Sequence, residues 1–107
     1  MSTYTTTTLV TATLVSAENP IAALELAHAC GADLNWVAQL VELGIVNHES
    51  TQASATDWYF DSADLQSALD ARRLERDFGV ALDAAALILD LQHEVRRLKA
   101  QLQARRA

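Results

Sequence analysis

The sequence predicts a mainly α-helical domain made of a helix-turn-helix, a small β-hairpin wing and a long C-terminal helix. Apolar residues recur at helical spacing in segments that are separated by glycines, as in a set of short helices. An aromatic triplet, Trp58 to Phe60, follows a polar stretch and is typical of a strand. The 107 residues are enough for one such domain with a single modest core.

The first elements are a strand and a helix. Residues from Thr8 to Leu14 are rich in Thr, Val and Leu and partly alternate, which favours a short strand. Asn19 and Pro20 predict the start of the first helix, because Asn caps free N–H groups and Pro is tolerated in the first turn. Gly31 suits the left-handed residue that ends it.

The second helix follows after a tight turn. Asp33 is its predicted cap and Gly44 its predicted end. Two short helices joined by a turn that contains glycine indicate a helix-turn-helix. One face of the second helix carries the residues that we expect in the core, namely Leu34, Val37, Leu40 and Val41.

The wing is predicted from two apolar segments around a polar loop. Ile45 and Val46 form the expected first strand, and residues 58–60 form the second. Trp58 and Phe60 should enter the core and Tyr59 should face out, because neighbours on a strand point to opposite faces. Asp61 or Ser62 then caps a third helix that ends at Gly79. Its expected core residues are Leu65, Leu69, Leu74 and Phe78.

The last helix begins near Asp83 and carries an apolar seam with spacings of 3, 4, 3 and 4 residues. This spacing is typical of two-stranded helical association, although packing of the helix on its own domain is the alternative. We therefore divide the chain into a winged domain, residues 1–80, and a C-terminal dimerisation helix, residues 81–107. The seam residues are Ile88, Leu91, Val95, Leu98 and Leu102.

Charge is distributed unevenly along the chain. The net charge is −6, yet residues 1–71 contain nine acidic residues and no Lys or Arg, so all eight cations follow. Such a surface repels phosphate and favours basic protein partners. The sequence has no membrane-spanning run and no secretory signal, and its single cysteine fits a reducing cytoplasm.

Short motifs along the chain resemble the MerR-type winged helix. They are Glu25-Leu26-Ala27 with Gly31, Leu43-Gly44-Ile45-Val46, Trp58-Tyr59-Phe60-Asp61, Asp64-Leu65 and Arg72-Arg73-Leu74. The Thr-rich opening, the acidic second helix and the Leu/Arg-rich tail make the chain more similar to the CbpM-type chaperone modulators. That resemblance implies a protein that binds the J-domain of a DnaJ-like, CbpA-type co-chaperone and inhibits it.

The partner-binding residues that we expect are acids of the second helix and the wing exit, together with an aromatic residue that we expect to be partly exposed. They are Asp33, Trp36, Glu42, Asp57, Asp61 and Asp64. Acids would speed and orient the encounter with a basic surface, while apolar anchors would hold it.

The alternative function is that of a MerR-like DNA-binding transcriptional regulator, as the scaffold itself suggests. Duplex affinity comes mainly from cations that neutralise phosphates, and base recognition in the major groove uses Arg, Lys, Asn and Gln. The second helix has Asn35 and Gln39 but no cation. We therefore expect no specific nucleic-acid binding.

Catalysis and cofactor binding are not predicted. His28 and Cys30 are two residues apart, but a zinc site needs three or four ligands of suitable type, and the other two histidines lie in different elements. No motif supplies a base for a Cys30 nucleophile, and no glycine-rich phosphate loop is present. We expect no enzyme activity, no cofactor and no metal.

Overall fold

The computed structural model describes residues 19–47 and 57–106. Within these ranges the elements are β1 Ile21–Ala22, α1 Ala23–Ala29, α2 Leu34–Glu42, β2 Tyr59–Phe60, α3 Ser62–Phe78 and α4 Leu82–Arg106. The mainly α fold class with a small antiparallel strand pair is therefore confirmed. The predicted strand from Thr8 to Leu14 and the polar loop of the wing, residues 48–56, lie outside the described residues.

The helix-turn-helix forms from α1 and α2 as the sequence predicts. Asp33 caps α2, because its Oδ1 accepts the backbone N–H of Trp36 at 2.9 Å. Gly31 and Gly44 follow the two helices with φ of 66° and 75°. This left-handed conformation lets the N–H of Ala32 reach the carbonyl of Ala27 at 2.9 Å, which ends α1 in a tight turn.

The first helix begins later than predicted, and the strand pairing also differs. Ile21 pairs with Phe60 and Ala22 with Tyr59 in an antiparallel register, so α1 starts at Ala23 and Asn19 is not its cap. Ile45 and Val46, the predicted first strand of the wing, are not in a strand. The apolar side chain of Ile21 is buried, and its pairing with β2 outweighs the local helix-start signal.

Within residues 19–47 and 57–106, one hydrophobic core joins α1, α2, α3, α4 and the strand pair. Phe60 is its largest fully buried side chain, and Leu26, Leu40 and Leu65 bring in α1, α2 and α3. The first two turns of α4 contribute Leu82, Ala85 and Leu89, so this core extends across the sequence boundary at residue 80. Trp58 packs against the core and Tyr59 is half exposed, which confirms the alternation predicted for this strand.

The third helix has the predicted ends, but one predicted core residue is exposed. Asp61 caps α3 through a bond from the N–H of Asp64 to its Oδ1 at 2.9 Å, and Gly79 follows with φ of 64°. Leu65, Leu69 and Leu74 are buried as expected. Phe78 is 70% exposed, because it lies in the last turn of α3, where the core has already ended.

A polar bracket, which we define as Trp36, Arg72 and Glu75, fastens the helix-turn-helix to α3. The Nε of Arg72 donates to the carbonyl of Cys30 at 3.2 Å, and its Nη2 donates to the carbonyl of Gly31 at 3.3 Å. Glu75 accepts the indole N–H of Trp36 at 2.8 Å and lies 3.5 Å from the Arg72 guanidinium. The turn and α2 are therefore positioned by two side chains of α3.

We predict that Arg72→Met lowers the free energy of unfolding by about 1–2 kcal/mol, because charged hydrogen bonds to the turn are lost. Arg73→Met is the matched control: Arg73 is exposed on the same helix, and the substitution removes the same charge. Urea unfolding followed by circular dichroism measures both. Equal losses in the two variants would contradict a positioning role for the Arg72 hydrogen bonds.

Candidate functional site

The outer face of α2 is the surface that a helix-turn-helix presents to its target. Asn35, Gln39 and Glu42 recur at helical spacing on this face, and all three are exposed. The buried side of the same helix carries Val37 and Leu40. We call the three exposed residues the α2 stripe. It offers two amides and one carboxylate and no cation.

Trp36 does not lie on this surface, so the expectation that it is partly exposed was wrong. It is only 8% exposed, and its indole N–H is bonded to Glu75. A buried indole needs a hydrogen-bond partner, and α3 provides one. Helical spacing from Leu40 suggested an outward position for Trp36, but the carboxylate that holds it comes from 39 residues further along the chain.

The predicted acidic residues divide into two groups. Glu42 and Asp57 are exposed, and Asp33 is exposed although its carboxylate caps α2. Asp61 and Asp64 are half-buried and form a reciprocal cap at the start of α3, so much of their hydrogen-bonding capacity is used within the fold. Glu42 and Asp57 are therefore the most available carboxylates of the predicted set.

Asp64 also links the two ends of the segment that runs from Asn47 to Asp61. Its Oδ1 accepts the N–H of Asn47 and its Oδ2 accepts the N–H of Asp61, both at 3.2 Å. Burial raises the pKa of the Asp64 carboxyl above its ordinary value, although the two backbone N–H groups oppose this shift. The nearby carboxylate of Asp61 adds to the increase.

Cys30 lies beneath the polar bracket and is a core residue. It is 3% exposed, and burial raises the pKa of its thiol to about 12, against the opposing charge of Arg72. A thiol with this pKa is not a ready nucleophile at neutral pH. Among residues 19–47 and 57–106, no group of three or more His, Cys, Asp or Glu side chains could hold a metal ion.

The predicted seam residues lie on α4 and are largely exposed. Ile88 packs partly against the core, while Leu91, Val95, Leu98 and Leu102 are between 46% and 57% exposed. Covering half of such a side chain contributes roughly 1 kcal/mol. The four exposed residues therefore offer about 4 kcal/mol per chain to whatever covers them. We name these four residues together with Ile88 the α4 seam.

Three further apolar side chains of the winged domain are exposed, and the sequence analysis did not consider any of them as partner anchors. Leu24 is 54% exposed, Leu43 40% and Tyr59 47%. The outward position of Tyr59 followed from strand alternation, but its possible use as an anchor was not considered. Leu24 and Leu43 lie among helical apolar residues, and only the packing distinguishes them from the core.

A small antiparallel strand pair beside a helix-turn-helix, followed by a long final helix, is the architecture of a winged helix-turn-helix protein. The family model described as MerR HTH family regulatory protein matches residues 21–106, which covers every described helix and strand. The chain belongs to this MerR family. No curated protein and no solved structure shows significant similarity to it. None of the described helices is both long and apolar enough to cross a membrane.

The raised pKa of the Asp64 carboxyl leads to a prediction about the pH dependence of stability. Because the folded pKa is above the unfolded one, Asp64 binds its proton more readily in the folded state. Its contribution to stability is therefore full below the unfolded pKa and is lost as pH rises through the folded pKa. The free energy of unfolding of the unmodified chain, relative to that of Asp64→Asn, should therefore fall as pH rises from the unfolded pKa to the folded pKa. Denaturant unfolding from acid to neutral pH measures this difference, and a constant difference would contradict the prediction.

Proposed function

We propose that this MerR-family chain is a chaperone modulator, in which the acidic winged domain docks on the J-domain of a DnaJ-like, CbpA-type co-chaperone and inhibits it. The observation that carries the proposal is the charge of the target-facing surface. The α2 stripe has no cation, and neither α1, β1 nor β2 supplies one. A surface of this kind suits a basic protein patch better than a phosphate backbone.

The exposed residues of the winged domain fit the two parts that a protein interface needs. Glu42 and Asp57 are charged and exposed, as residues that guide the encounter must be. Leu24, Leu43 and Tyr59 provide exposed apolar surface that a partner can cover. Buried aromatic and aliphatic anchors carry most of the binding energy in such interfaces.

Inhibition follows by competitive occlusion. The acidic domain covers the basic J-domain surface that a DnaK-type chaperone would otherwise use. The J-domain as the partner comes from the resemblance to CbpM-type modulators, while the requirement for a basic target comes from the charge of this chain. The α2 stripe and the three exposed apolar side chains are already at the surface, so the proposal requires no rearrangement to expose them.

We expect the double reversal Glu42→Lys and Asp57→Lys to slow association with a CbpA-type J-domain. Exposed charges act mainly on the on-rate and are screened beyond about 8–10 Å at physiological salt, so the effect should shrink as salt rises. Stopped-flow association measures this rate, and circular dichroism checks the fold.

The matched control is Asp70→Lys with Asp77→Lys, which changes the net charge equally but on α3. An equal slowing in both double variants would mean that only net charge matters. An unchanged on-rate with Glu42→Lys and Asp57→Lys would remove the electrostatic mechanism. If the unmodified chain bound no J-domain protein of its own cell, the proposed function would fall.

DNA-binding regulation is the second candidate function, and the family match favours it, since that family is described as regulatory helix-turn-helix proteins. Asn35 and Gln39 on the stripe could contact adenine in the major groove. Against this, the acids of the winged domain would face phosphates at a cost of several kcal/mol, on an order-of-magnitude Coulomb estimate.

We therefore predict no sequence-specific duplex binding near physiological salt. Fluorescence anisotropy with DNA from the intergenic regions next to the chain's own gene is the measurement. Specific regulators reach nanomolar dissociation constants under such conditions. A specific constant in that range would favour the regulator over the modulator.

A further inference from the structure

The outer side of the strand pair carries exposed apolar surface. Ala22 and Tyr59 pair directly across the two strands, so their side chains lie on the same side of the pair. The opposite side is buried in the core with Phe60. Leu24 follows Ala22 in the first turn of α1, and α1 contacts β2. The backbone therefore brings two half-exposed side chains, Leu24 and Tyr59, close together at the surface.

Two carboxylates lie beside this apolar surface. The Oε1 of Glu25 accepts the N–H of Ala22 at 3.3 Å, so the Glu25 carboxylate lies next to the residue that pairs with Tyr59. Asp57 lies two residues before Tyr59, and the carbonyl of the intervening Trp58 is hydrogen-bonded to the start of α1. Both carboxylate residues are exposed. We name the four exposed residues the Tyr59 patch, and they are Leu24, Glu25, Asp57 and Tyr59.

The segments that form the Tyr59 patch supply no cation. Residues 1–71 contain no Lys or Arg. The first cation, Arg72, lies ten residues after the start of α3, or about 15 Å along that helix. Its guanidinium is bound to the turn at the far end of α1. The patch thus combines exposed apolar surface with negative charge, and a complementary cation has to come from a partner.

We propose that the Tyr59 patch binds an arginine side chain of the partner together with an apolar side chain next to it. The proposal rests on the proposed function and deepens it, because it names the feature of the basic J-domain surface that the winged domain contacts. A guanidinium donates paired hydrogen bonds to a carboxylate and stacks on an aromatic ring. The patch offers both groups, and Leu24 offers the apolar surface beside them.

The hydrogen-bonding capacity of Glu25 suits this contact. Its Oε1 accepts one N–H of its own chain, whereas a carboxylate has about four acceptor sites on its two oxygens. A lysine of the partner would bring a point charge, but it has no planar fork to match a carboxylate and no plane to stack on Tyr59. The patch therefore prefers arginine to lysine.

The Tyr59 patch and the α2 stripe differ in the kinetic step that they govern. The stripe has amides and a carboxylate but no apolar side chain, so it acts on the approach of a charged partner. The patch has an aromatic ring and an aliphatic side chain, whose contacts form only at short range. It therefore governs how long the complex lasts, which is the dissociation rate.

The first test changes the ring of Tyr59. Tyr59→Leu keeps an apolar side chain but removes the ring, and it should speed dissociation of a CbpA-type J-domain about three- to fivefold, with the association rate nearly unchanged. Tyr59→Phe is the matched control, because it keeps the ring and should leave both rates unchanged. Stopped flow measures the rates. An unchanged dissociation rate in Tyr59→Leu, or an equal change in Tyr59→Phe, would overturn the stacking contact.

The second test removes the charges of the patch. Glu25→Gln with Asp57→Asn should speed dissociation about tenfold, because hydrogen bonds to charged groups are stronger than those to neutral ones. The glutamine amide can still accept the N–H at the start of α1, so the fold is kept. Asp70→Asn with Asp77→Asn is the matched control on α3 and should leave dissociation unchanged. An equal effect of the two pairs would overturn the contribution of the patch carboxylates.

The third test needs no J-domain. An Arg-Leu dipeptide with blocked ends is titrated into the full chain and followed by nuclear magnetic resonance. We expect millimolar binding that shifts the ring signals of Tyr59 and the methyl signals of Leu24. A Lys-Leu dipeptide should bind several-fold more weakly, and a Glu-Leu dipeptide should leave these signals unchanged. Equal shifts with all three peptides, or none with Arg-Leu, would overturn the proposal.

The outcomes separate this proposal from the proposed function. If Arg-Leu shifts the patch signals but no J-domain binds the chain, the proposed function falls and the arginine site stands. If a J-domain binds without shifting these signals, the site falls and the proposed function stands. Signals of Tyr59 that change on dilution of the chain alone would identify a second copy as the occupant and would overturn the proposal.

Discussion

The contact between α3 and the helix-turn-helix is the constraint on which the rest of the winged domain depends. Helices of seven and nine residues are too short to be stable alone, so α1 and α2 need tertiary support. Arg72 positions the turn between them by donating hydrogen bonds to two backbone carbonyls of that turn. Glu75 positions α2 by accepting a hydrogen bond from the Trp36 indole. These bonds are directional, whereas the apolar core beneath them is not. Together with the burial of Val37 and Leu40, they determine which residues of α2 face outward.

Local signals in the sequence predicted those parts of the fold that are determined locally. Asp33 and Asp61 cap helices, and Gly31, Gly44 and Gly79 end them, because each requirement involves only neighbouring residues. The predictions failed where contacts between residues distant in the sequence outweigh a local signal. The strand pairing of Ile21 with Phe60 displaced the helix start expected at Asn19, and no local pattern announces such a pairing.

The candidate site was only partly predictable for the same reason. The sequence identified the acids and the cap roles of Asp33 and Asp61, but not the further hydrogen bonds that Asp64 accepts within the fold. Asp64 was expected to bind the partner, yet its two oxygens accept bonds from Asn47 and Asp61, one of them 17 residues away. Glu42 and Asp57 looked no different in sequence and are exposed. Helical spacing likewise grouped the residues of the α4 seam, but it could not show that Leu91, Val95, Leu98 and Leu102 are left exposed while Ile88 packs against the core.

The reciprocal bonds of Asp64 have a consequence for protein engineering. The Asp64 carboxylate accepts hydrogen bonds from both Asn47 and Asp61, and Asp61 is the cap at the start of α3. It therefore links the two ends of the segment between these residues. Chain inserted between these anchors enters and leaves at fixed points of the fold. Lengthening a loop costs only about 0.6 kcal/mol for each doubling, since closure entropy grows slowly with length. The two fixed anchors, Asn47 and Asp61, thus make this small domain suitable for the display of foreign peptide sequences inserted between them.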